Sequence, residues 1–332
     1  MENIELKYAN KIVLVTGGAG CIGSNLVKRI SDLGAKEVII LDNLSSAYKW
    51  NIPIAKNIMF VEGDILNDEM LKRVFKRKPD YVFHLAAHFA NQNSVDNPET
   101  DLLVNGMGVL KVLEYAHLSG IERFVFASSG CGVYGLESKM PFEEHDISIK
   151  LHSPYQVTKL LGELYTNYFH NLYNLPIVNA RFFNVFGPGE VPGKYRNVIP
   201  NFMYWSIQGK PLPITGDGSE TRDWTYVGDI VNGLLAMGVI EEAVGESINL
   251  GSGKDTQVID MAKMILELTG NKNGIKYVER RNWDVKKQLL SSIEKANNIL
   301  DYEPKTTFRE GLEFVYKWFM DNKHNIEKSA EF

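Results

Sequence analysis

A glycine-rich run near the start of the chain constrains the fold more than any other feature. Residues 16–23 read TGGAGCIG, with glycines at 17, 20 and 23, and they follow the short apolar run 11–16. Apolar residues then recur on one helical face over residues 22–33. Glycines at this spacing permit a tight strand-to-helix turn and bring backbone and helix N-terminus close to a pyrophosphate. The run therefore predicts a dinucleotide site at the first turn of an α/β fold.

The first half of the chain continues the same alternation. Short runs rich in β-branched or aromatic residues recur at 37–42, 58–62, 81–85, 123–127 and 177–181. Amphipathic helical patterns lie between them, notably at 102–117 and 155–173, and Gly34 and Gly120 stand where helix C-caps are expected. Apolar strands joined by helices are typical of a parallel sheet covered on both faces. The predicted fold class is α/β, with a Rossmann-type doubly wound parallel sheet.

The pattern changes after about residue 181. Glycine and proline punctuate residues 187–213, and short helical patterns follow at 227–242, 257–268 and 309–322. We predict a Rossmann domain over residues 1–185, which binds the dinucleotide and carries the candidate catalytic residues described below, and a smaller C-terminal α/β lobe over 186–332. The lobe is expected to be partly interleaved with the first domain and to bind the substrate. The chain is expected to fray from Asn322 onward.

Charge and composition narrow the range of partners. The chain has 332 residues, a formal net charge of -5 and no run of five like charges, which argues against nucleic-acid binding. Its two cysteines, Cys21 and Cys131, are too few for a disulfide scaffold and favour a reducing compartment. The first apolar run is too short for a signal segment or a membrane span. A cytoplasmic location without a membrane partner is therefore expected.

An acidic residue ends the second predicted strand and selects the cofactor. Asp42 lies nineteen residues after Gly23, where a carboxylate can accept hydrogen bonds from ribose hydroxyls. It would repel a 2′-phosphate, and residues 43–46 contain no arginine that could attract one. The sequence therefore favours NAD over NADP. Asp64, which follows the third strand, is expected either at the adenine edge or in a turn.

A tyrosine and a lysine four residues apart form the candidate catalytic pair. Tyr155 and Lys159 lie on one face of the predicted helix 155–173. A tyrosine titrates near ~10 in water, and a neighbouring ammonium favours its ionised form. The phenolate could then take a proton from a substrate hydroxyl while hydride leaves the same carbon.

Several motifs together resemble one family over nearly the whole chain. They are TGGAGCIGS (16–24), LDN (41–43), GDI (63–65), HLAA (84–87), Asn105, SSGCGVYG (128–135), SPYQVTK (153–159), RFFNVFGPG (181–189), GDGSETRDWTYVGDI (216–230) and NLGSG (249–253). The chain resembles the extended short-chain dehydrogenases/reductases of the NAD-dependent nucleotide-sugar epimerase/dehydratase family, and most closely their 4-epimerase members.

The resemblance implies two sets of ligand-binding residues. Around NAD it implies Gly17, Gly20, Cys21, Ile22, Gly23, Asp42, Asn43, Ser45, Asp64, Ile65, Leu85, Ala86, Ala87, Asn105, Tyr155, Lys159 and Phe182. Around the nucleotide sugar it implies His88, Ser129, Gly130, Asn184, Asn201, Arg222, Arg281 and Asp284. In the second set Asn184 and the two arginines would bind the pyrophosphate, because a guanidinium can hold two phosphate oxygens at once, and Asp284 would lie near the ribose.

The sequence departs from the family pattern at the catalytic hydroxyl. Gly130 occupies the position where the family places a serine or threonine, so Ser129, or else Ser128, is expected to replace it. Dehydratases and decarboxylases of the family carry carboxylates where this chain has Cys131 and Gly132. A 4,6-dehydratase or decarboxylase is therefore disfavoured.

Together these features predict an enzyme activity and leave one alternative activity open. The expected activity is an NAD-dependent nucleotide-sugar 4-epimerase that acts through a transient 4-keto intermediate. The alternative is a 4-dehydrogenase that releases the 4-keto sugar, a UDP- or GDP-linked hexose or heptose. The Tyr155 and Lys159 pair argues against a non-catalytic NAD-binding regulator. No metal is expected from the spacing of His84 and His88, and the resemblance implies a homodimer formed through helices 102–117 and 155–173.

Overall fold

Strands and helices alternate along the first half of the chain, as its apolar runs predict. The structure, a computed structural model, describes residues 4, 6–135, 138–280 and 286–332. Its strands are β1 (Ile12–Thr16), β2 (Glu37–Asp42), β3 (Ile58–Glu62), β4 (Tyr81–His84), β5 (Arg123–Ser129), β6 (Ile177–Phe182), β7 (Asn184–Phe186), β8 (Leu212–Thr215), β9 (Thr221–Tyr226), β10 (Ser247–Leu250), β11 (Asp255–Gln257), β12 (Ile275–Val278) and β13 (Gln288–Leu289).

The helices of the described chain follow the same order. They are α1 (Cys21–Asp32), α2 (Asp68–Phe75), α3 (Asn91–Asp96), α4 (Pro98–Leu102), α5 (Gly108–Ser119), α6 (Gly130–Val133), α7 (Pro154–Tyr173), α8 (Val198–Ile207), α9 (Val227–Val239), α10 (Val258–Thr269), α11 (Glu294–Leu300), α12 (Phe308–Asp321) and α13 (Lys323–Ser329). A π-helical turn, Leu103–Met107, joins α4 to α5. The predicted helix 102–117 therefore extends from Pro98 to Ser119 with this turn inside it.

The large sheet is parallel and buried on both faces. Seven strands pair in the order β10-β6-β5-β4-β1-β2-β3, and every residue of β5 is buried. One face packs against α1 and α9, and the other against α5 and α7. Burial on both faces explains why these strands read as continuous apolar runs. The predicted α/β fold class with a Rossmann-type sheet is confirmed.

The smaller lobe is built from the second half of the chain. Strand β9 pairs with β7, β11 and β13, strand β8 pairs with β12, and α8, α10 and α12 pack around a separate apolar core. The same half also supplies β10 to the large sheet, where it pairs with β6. The second half of the chain thus contributes to both lobes, and the division at residue 185 remains a prediction.

The prediction that the chain frays from Asn322 is wrong. Helix α13 follows, its Ile326 is buried in the core of the smaller lobe, and Ser329 accepts a hydrogen bond from the Tyr48 hydroxyl at 2.5 Å. The residues that hold this segment lie far away in sequence, so a polar composition alone gave no sign of its packing.

Candidate active site

A cavity of about 1110 Å³ runs along the carboxyl ends of the parallel strands. Residues that follow or end β1 to β6 line one side, and loops of the smaller lobe line the other. In open α/β sheets, ligands bind at these strand ends, where the strand order reverses. Here the reversal falls at β1, which pairs with β2 on one side and β4 on the other. The volume exceeds that of a typical single-ligand pocket of ~300–1,000 Å³.

The turn between β1 and α1 requires its glycines. Gly17 has φ +71°, and a Cβ atom there would lie 2.6 Å from the Ala86 backbone nitrogen. A Cβ atom on Gly23 would lie 2.2 Å from the Gly17 carbonyl oxygen. No side chain caps α1 at its N-cap residue, Gly20. The first-turn N–H groups are therefore left for an anionic ligand, which fits the pyrophosphate of NAD.

Asp42 lies beside this turn. Its carboxylate accepts hydrogen bonds from the backbone N–H groups of Ala19, at 3.0 Å, and Leu44, at 2.9 Å. Burial raises the pKa of Asp42, and these two hydrogen bonds oppose the rise. Asp64 also lines the cavity, where its carboxylate accepts from Asn43 Nδ2 and Leu66 N, both at 2.8 Å. Asp64 therefore has a turn-forming role whichever ligand it meets.

The start of α7 carries Tyr155 and Lys159 into the cavity. Ser153 caps the helix by accepting from Gln156 N, and Pro154 is its first residue. Both favour a helix start at this point. Lys159 Nζ donates to the Ala127 carbonyl at 2.8 Å and lies 5.6 Å from the centre of the Tyr155 ring. The predicted pair is thus brought together at the end of β5.

The electrostatic balance at Tyr155 differs from the one expected. Burial raises the pKa of Tyr155, with help from Cys131 and Asp101, while a hydrogen bond with Ser129 lowers it. Lys159 is not among these causes. Burial also lowers the pKa of Lys159 to about 8, against the attraction of Asp101 and Glu163. The net shift of the Tyr155 pKa is therefore upward, because burial outweighs the contact with Ser129.

The two candidate serines face different partners. Ser128 Oγ donates to the buried carboxylate of Glu163, which also holds Arg181. Ser129 lies close enough to the Tyr155 phenol to lower its pKa. A Cβ atom on Gly130 would lie 2.2 Å from the Phe183 ring. The Phe183 ring thus fills the space that a serine or threonine side chain at position 130 would need. The geometry favours Ser129 as the residue that supplies the catalytic hydroxyl instead.

Several of the predicted substrate residues line the same cavity. His88, Asn184, Asn201 and Arg222 line it. Asn184 Nδ2 donates to the Asp223 carbonyl at 3.3 Å, and the Asn201 amide bonds both the N–H and the carbonyl of Gly193. Arg222 donates to the Thr221 carbonyl at 2.9 Å. Arg281 and Asp284 lie outside the described residues.

Among the described residues, two predicted positions do not line the cavity. One is Gly130. The other is Asn105, which is buried behind the wall in the π-helical turn, where its Oδ1 accepts from His88 N at 2.8 Å and its Nδ2 donates to Asp101 at 2.8 Å. The remaining predicted cofactor residues all line it: Gly17, Gly20, Cys21, Ile22, Gly23, Asp42, Asn43, Ser45, Asp64, Ile65, Leu85, Ala86, Ala87, Tyr155, Lys159 and Phe182.

The sequence missed several charged residues of the cavity. Glu190 and Arg196 line it from the loop that follows the RFFNVFGPG motif, and burial raises the pKa of Glu190 to about 7. Lys286 lines it too and donates to the Tyr134 carbonyl at 2.6 Å. Their only signal was proximity to a motif, which does not fix where a side chain lies.

Metal-binding clusters and membrane-spanning helices are both absent from the described part of the chain. It contains no group of three or more His, Cys, Asp or Glu residues suited to holding a metal ion. None of its helices has both the length and the apolar content needed to cross a membrane.

Replacing Gly23 by Ala should destabilise the first turn. The new methyl group would meet backbone atoms, and we expect a loss of about 1–3 kcal/mol in the free energy of unfolding, together with weaker NAD binding. Gly20 is the matched position, because a Cβ atom there has its nearest neighbour at 3.4 Å. Urea unfolding of NAD-free protein should therefore separate Gly23→Ala from Gly20→Ala. Equal stabilities would contradict the crowding at Gly23.

Comparison with known proteins places this site in a family. The model of the NAD dependent epimerase/dehydratase family matches residues 13–251. The UDP-glucose 4-epimerase of Mycolicibacterium smegmatis is 33% identical over 92% of this chain and 97% of its own length. Epimerase Mth375 of Methanothermobacter thermautotrophicus is 72% identical, with a TM-score of 0.99 over 99% of this chain and 98% of the other.

A second solved structure agrees. The UDP-glucose 4-epimerase of Thermotoga maritima, determined with UDP-glucose, has a TM-score of 0.89 and 35% identity over 94% of this chain and 100% of the other. These matches confirm the family resemblance, the enzyme class and the NAD cofactor predicted from the sequence. The chain belongs to the NAD-dependent epimerase/dehydratase family.

Proposed function

We propose that the chain is an NAD-dependent 4-epimerase of UDP-linked sugars. The observation that carries the proposal is the cluster at the end of β5. There the Tyr155 phenol lies close to Ser129 and beside the Lys159 ammonium, in a cavity large enough for two ligands. The named relatives that act on UDP-glucose at C4 support the nucleotide and the position on the sugar.

Each catalytic residue has a role that follows from its contacts. When bound, NAD+ supplies an acceptor for a hydride and a source for its return. Tyr155 takes the proton of the C4 hydroxyl, and Ser129 donates a hydrogen bond to the same C4 oxygen. Lys159, fixed by the Ala127 carbonyl, places its positive charge 5.6 Å from the centre of the Tyr155 ring, where it would oppose the rise that burial causes in the phenol pKa. After the 4-keto sugar has rotated in the cavity and hydride has returned to C4, Tyr155 returns the proton to the C4 oxygen.

The substrate lobe would hold the diphosphate while the sugar turns. Asn184 and Arg222 line the cavity on that side. An arginine there can bind two phosphate oxygens at once, so the nucleotide stays anchored while the far end of the molecule rotates. This division between a fixed diphosphate and a mobile sugar would allow either face of C4 to be presented to the hydride donor, while the C4 oxygen stays within reach of Tyr155.

The catalytic loop disfavours elimination chemistry. Cys131 and Gly132 stand where an acid and a base would be needed to remove water. Burial raises the pKa of Cys131 to about 11, so its thiol is neutral at physiological pH. Tyr155 can then move the C4 proton, but neither position 131 nor position 132 supplies a carboxyl group for the elimination of water.

The direct test uses the NAD-loaded protein and a panel of UDP-hexoses, with GDP-hexoses alongside. Proton NMR should show the C4 epimer of a UDP-sugar, and the NADH absorbance should show no net change at the end of the reaction. Lasting NADH together with a ketone would replace the epimerase by a 4-dehydrogenase. Turnover of GDP-sugars alone would overturn the choice of nucleotide.

A matched pair of serine variants tests the catalytic hydroxyl. Ser129→Ala should lower kcat by about tenfold to a hundredfold, because a hydrogen bond to a charged group contributes about 1.5–3 kcal/mol. Ser128→Ala should instead lower the free energy of unfolding, since it removes a buried partner of Glu163. Steady-state kinetics and urea unfolding of both variants would show the contrast. A larger loss of kcat in Ser128→Ala would assign the role to Ser128.

We also propose a homodimer formed through α5 and α7. These adjacent helices carry three leucines that are each more than half exposed, Leu118, Leu164 and Leu172. In a monomer this apolar surface would face water. A second copy related by a two-fold axis would cover this face with the same residues. Leu164→Asp should shift the protein to monomer in sedimentation velocity. Ile54→Asp, an exposed apolar residue outside both helices, should not. A wild-type monomer would contradict the proposal.

A further inference from the structure

Two loops from different lobes meet over the Asp42 end of the cavity. The first, residues 43–51, follows β2, and the second, residues 189–197, follows β7. Both contribute residues to the cavity wall. They contact each other directly, because Arg196 donates to the Ser46 carbonyl and Asn51 Nδ2 donates to the Gly189 carbonyl at 3.0 Å. A dinucleotide lying between the glycine turn and Asp42 would be enclosed by this pair of loops.

The segment 322–332, called the tail here, joins the same two loops from outside. On the first loop, Ser329 accepts from Tyr48 at its carbonyl, at 2.5 Å, and from Trp50 Nε1 at its hydroxyl, at 3.0 Å. On the second loop, Lys194 N donates to the Glu331 carbonyl at 2.8 Å. The tail therefore bridges a loop of the Rossmann sheet to a loop of the smaller lobe.

Aromatic rings anchor the first loop and the tail separately to helices of the smaller lobe. Trp50 stacks between Tyr48 and Trp318, with ring centres 6.1 and 5.9 Å apart. Phe332 lies against Trp205 of α8 at 5.3 Å. Such ring pairs add to the hydrogen bonds, because offset or tilted rings attract each other beyond the area that they bury. The loops cannot separate without breaking contacts that the tail makes.

We propose that the tail is a latch that holds the two loops together and slows the release of NAD. A catalyst that returns hydride to the same sugar regenerates its cofactor in every cycle, so slow release does not limit its turnover. The inference rests on NAD binding in this cavity and is independent of which sugar is converted. The Tyr195 hydroxyl keeps a separate contact with Asp96, at 2.9 Å. Loss of the tail should therefore loosen the loops without removing every attachment.

The rate of NAD release tests the latch without any sugar. Protein loaded with fluorescent etheno-NAD is chased with excess NAD, and the fluorescence change gives the dissociation rate. A chain shortened after Lys328 should release the nucleotide about tenfold faster or more, because several hydrogen bonds of about 0.5–1.5 kcal/mol each are lost. Ser329→Ala should release it about twofold to tenfold faster. Lys328→Ala, an exposed neighbour on α13, should leave the rate unchanged.

A double-mutant cycle keeps the inference falsifiable if the shortened chain does not fold. Trp50→Phe keeps an aromatic ring and removes the Nε1 donor to Ser329. If the latch works through this bond, Trp50→Phe and Ser329→Ala should each raise the release rate, and the double variant should be no faster than either alone. Release rates equal to that of the unmodified protein in both single variants would overturn the latch. Failure to find a sugar substrate would overturn only the proposed epimerase activity.

Discussion

Replacing Tyr155 by Phe is expected to lower kcat by about 10²- to 10⁴-fold, the range typical of removing a general acid–base group. The variant loses one oxygen atom and keeps the ring, which meets the Phe89 ring edge-on at 6.2 Å. NAD content should therefore stay near that of the unmodified protein. A phenylalanine ring carries no group that could take up the proton of the C4 hydroxyl or return it.

Tyr115→Phe is the matched control for this loss. Tyr115 lies on α5 outside the cavity, and its hydroxyl makes only long hydrogen bonds of 3.4 Å to Asp68. Its kcat should equal that of the unmodified protein. Initial rates, bound NAD measured after denaturation, and circular dichroism would be compared for both variants. Substantial turnover by a folded, NAD-loaded Tyr155→Phe variant would remove Tyr155 from the mechanism.

The large sheet was predictable because its strands are buried on both faces. Such strands read as continuous apolar runs, and β2 and β3 have the bounds predicted from the sequence. Strand β10 was not predicted, since Ser247–Leu250 is short and its partner β6 lies some seventy residues earlier in the chain. The π-helical turn Leu103–Met107 was also invisible, because a one-residue bulge barely alters a helical apolar pattern.

Some features of the candidate site were likewise predictable from local sequence, and others depend on contacts between distant residues. The glycine turn, Asp42 and the Tyr155 and Lys159 pair are local motifs, and the fold brings them to one cavity. The choice between Ser128 and Ser129 depends on which one reaches Glu163, and spacing cannot reveal that. The upward pKa shift of Tyr155 depends on burial contributed by several elements. The loop 189–197 and the tail depend on contacts between distant parts of the chain.

Replacing Glu163 by Gln is expected to cost about 3–5 kcal/mol in the free energy of unfolding, the range for breaking a buried ion pair by removing one partner. Glu163 Oε1 accepts from Arg181 Nε at 2.9 Å, Oε2 accepts from Arg181 Nη2 at 2.7 Å, and both side chains are at most 2% exposed. Burial opposes the charge of Arg181, and Glu163 holds the pKa of that guanidinium above its usual range. Glutamine keeps the shape and leaves the arginine charge without its counterion.

An exposed pair supplies the control. Glu267 bonds Arg309 at 3.0 Å with both side chains more than half exposed, so Glu267→Gln should leave urea unfolding unchanged within error. A second variant separates lost charge balance from lost packing. Glu163→Leu combined with Arg181→Met removes both charges, and apolar replacement of a whole buried pair is often neutral or stabilising. If the double variant is as unstable as Glu163→Gln, packing rather than charge accounts for the loss.

The same substitution should also reach the catalytic lysine. Glu163 lies one helical turn after Lys159 and raises the pKa of Lys159 against the effect of burial. Without that carboxylate the pKa of Lys159 should fall further below about 8. The ammonium form would then be lost at lower pH, and any activity that needs it should decline earlier as pH rises. The alkaline limb of the kcat profile should therefore move to lower pH in Glu163→Gln. An unmoved limb in a folded variant would confine Glu163 to a structural role.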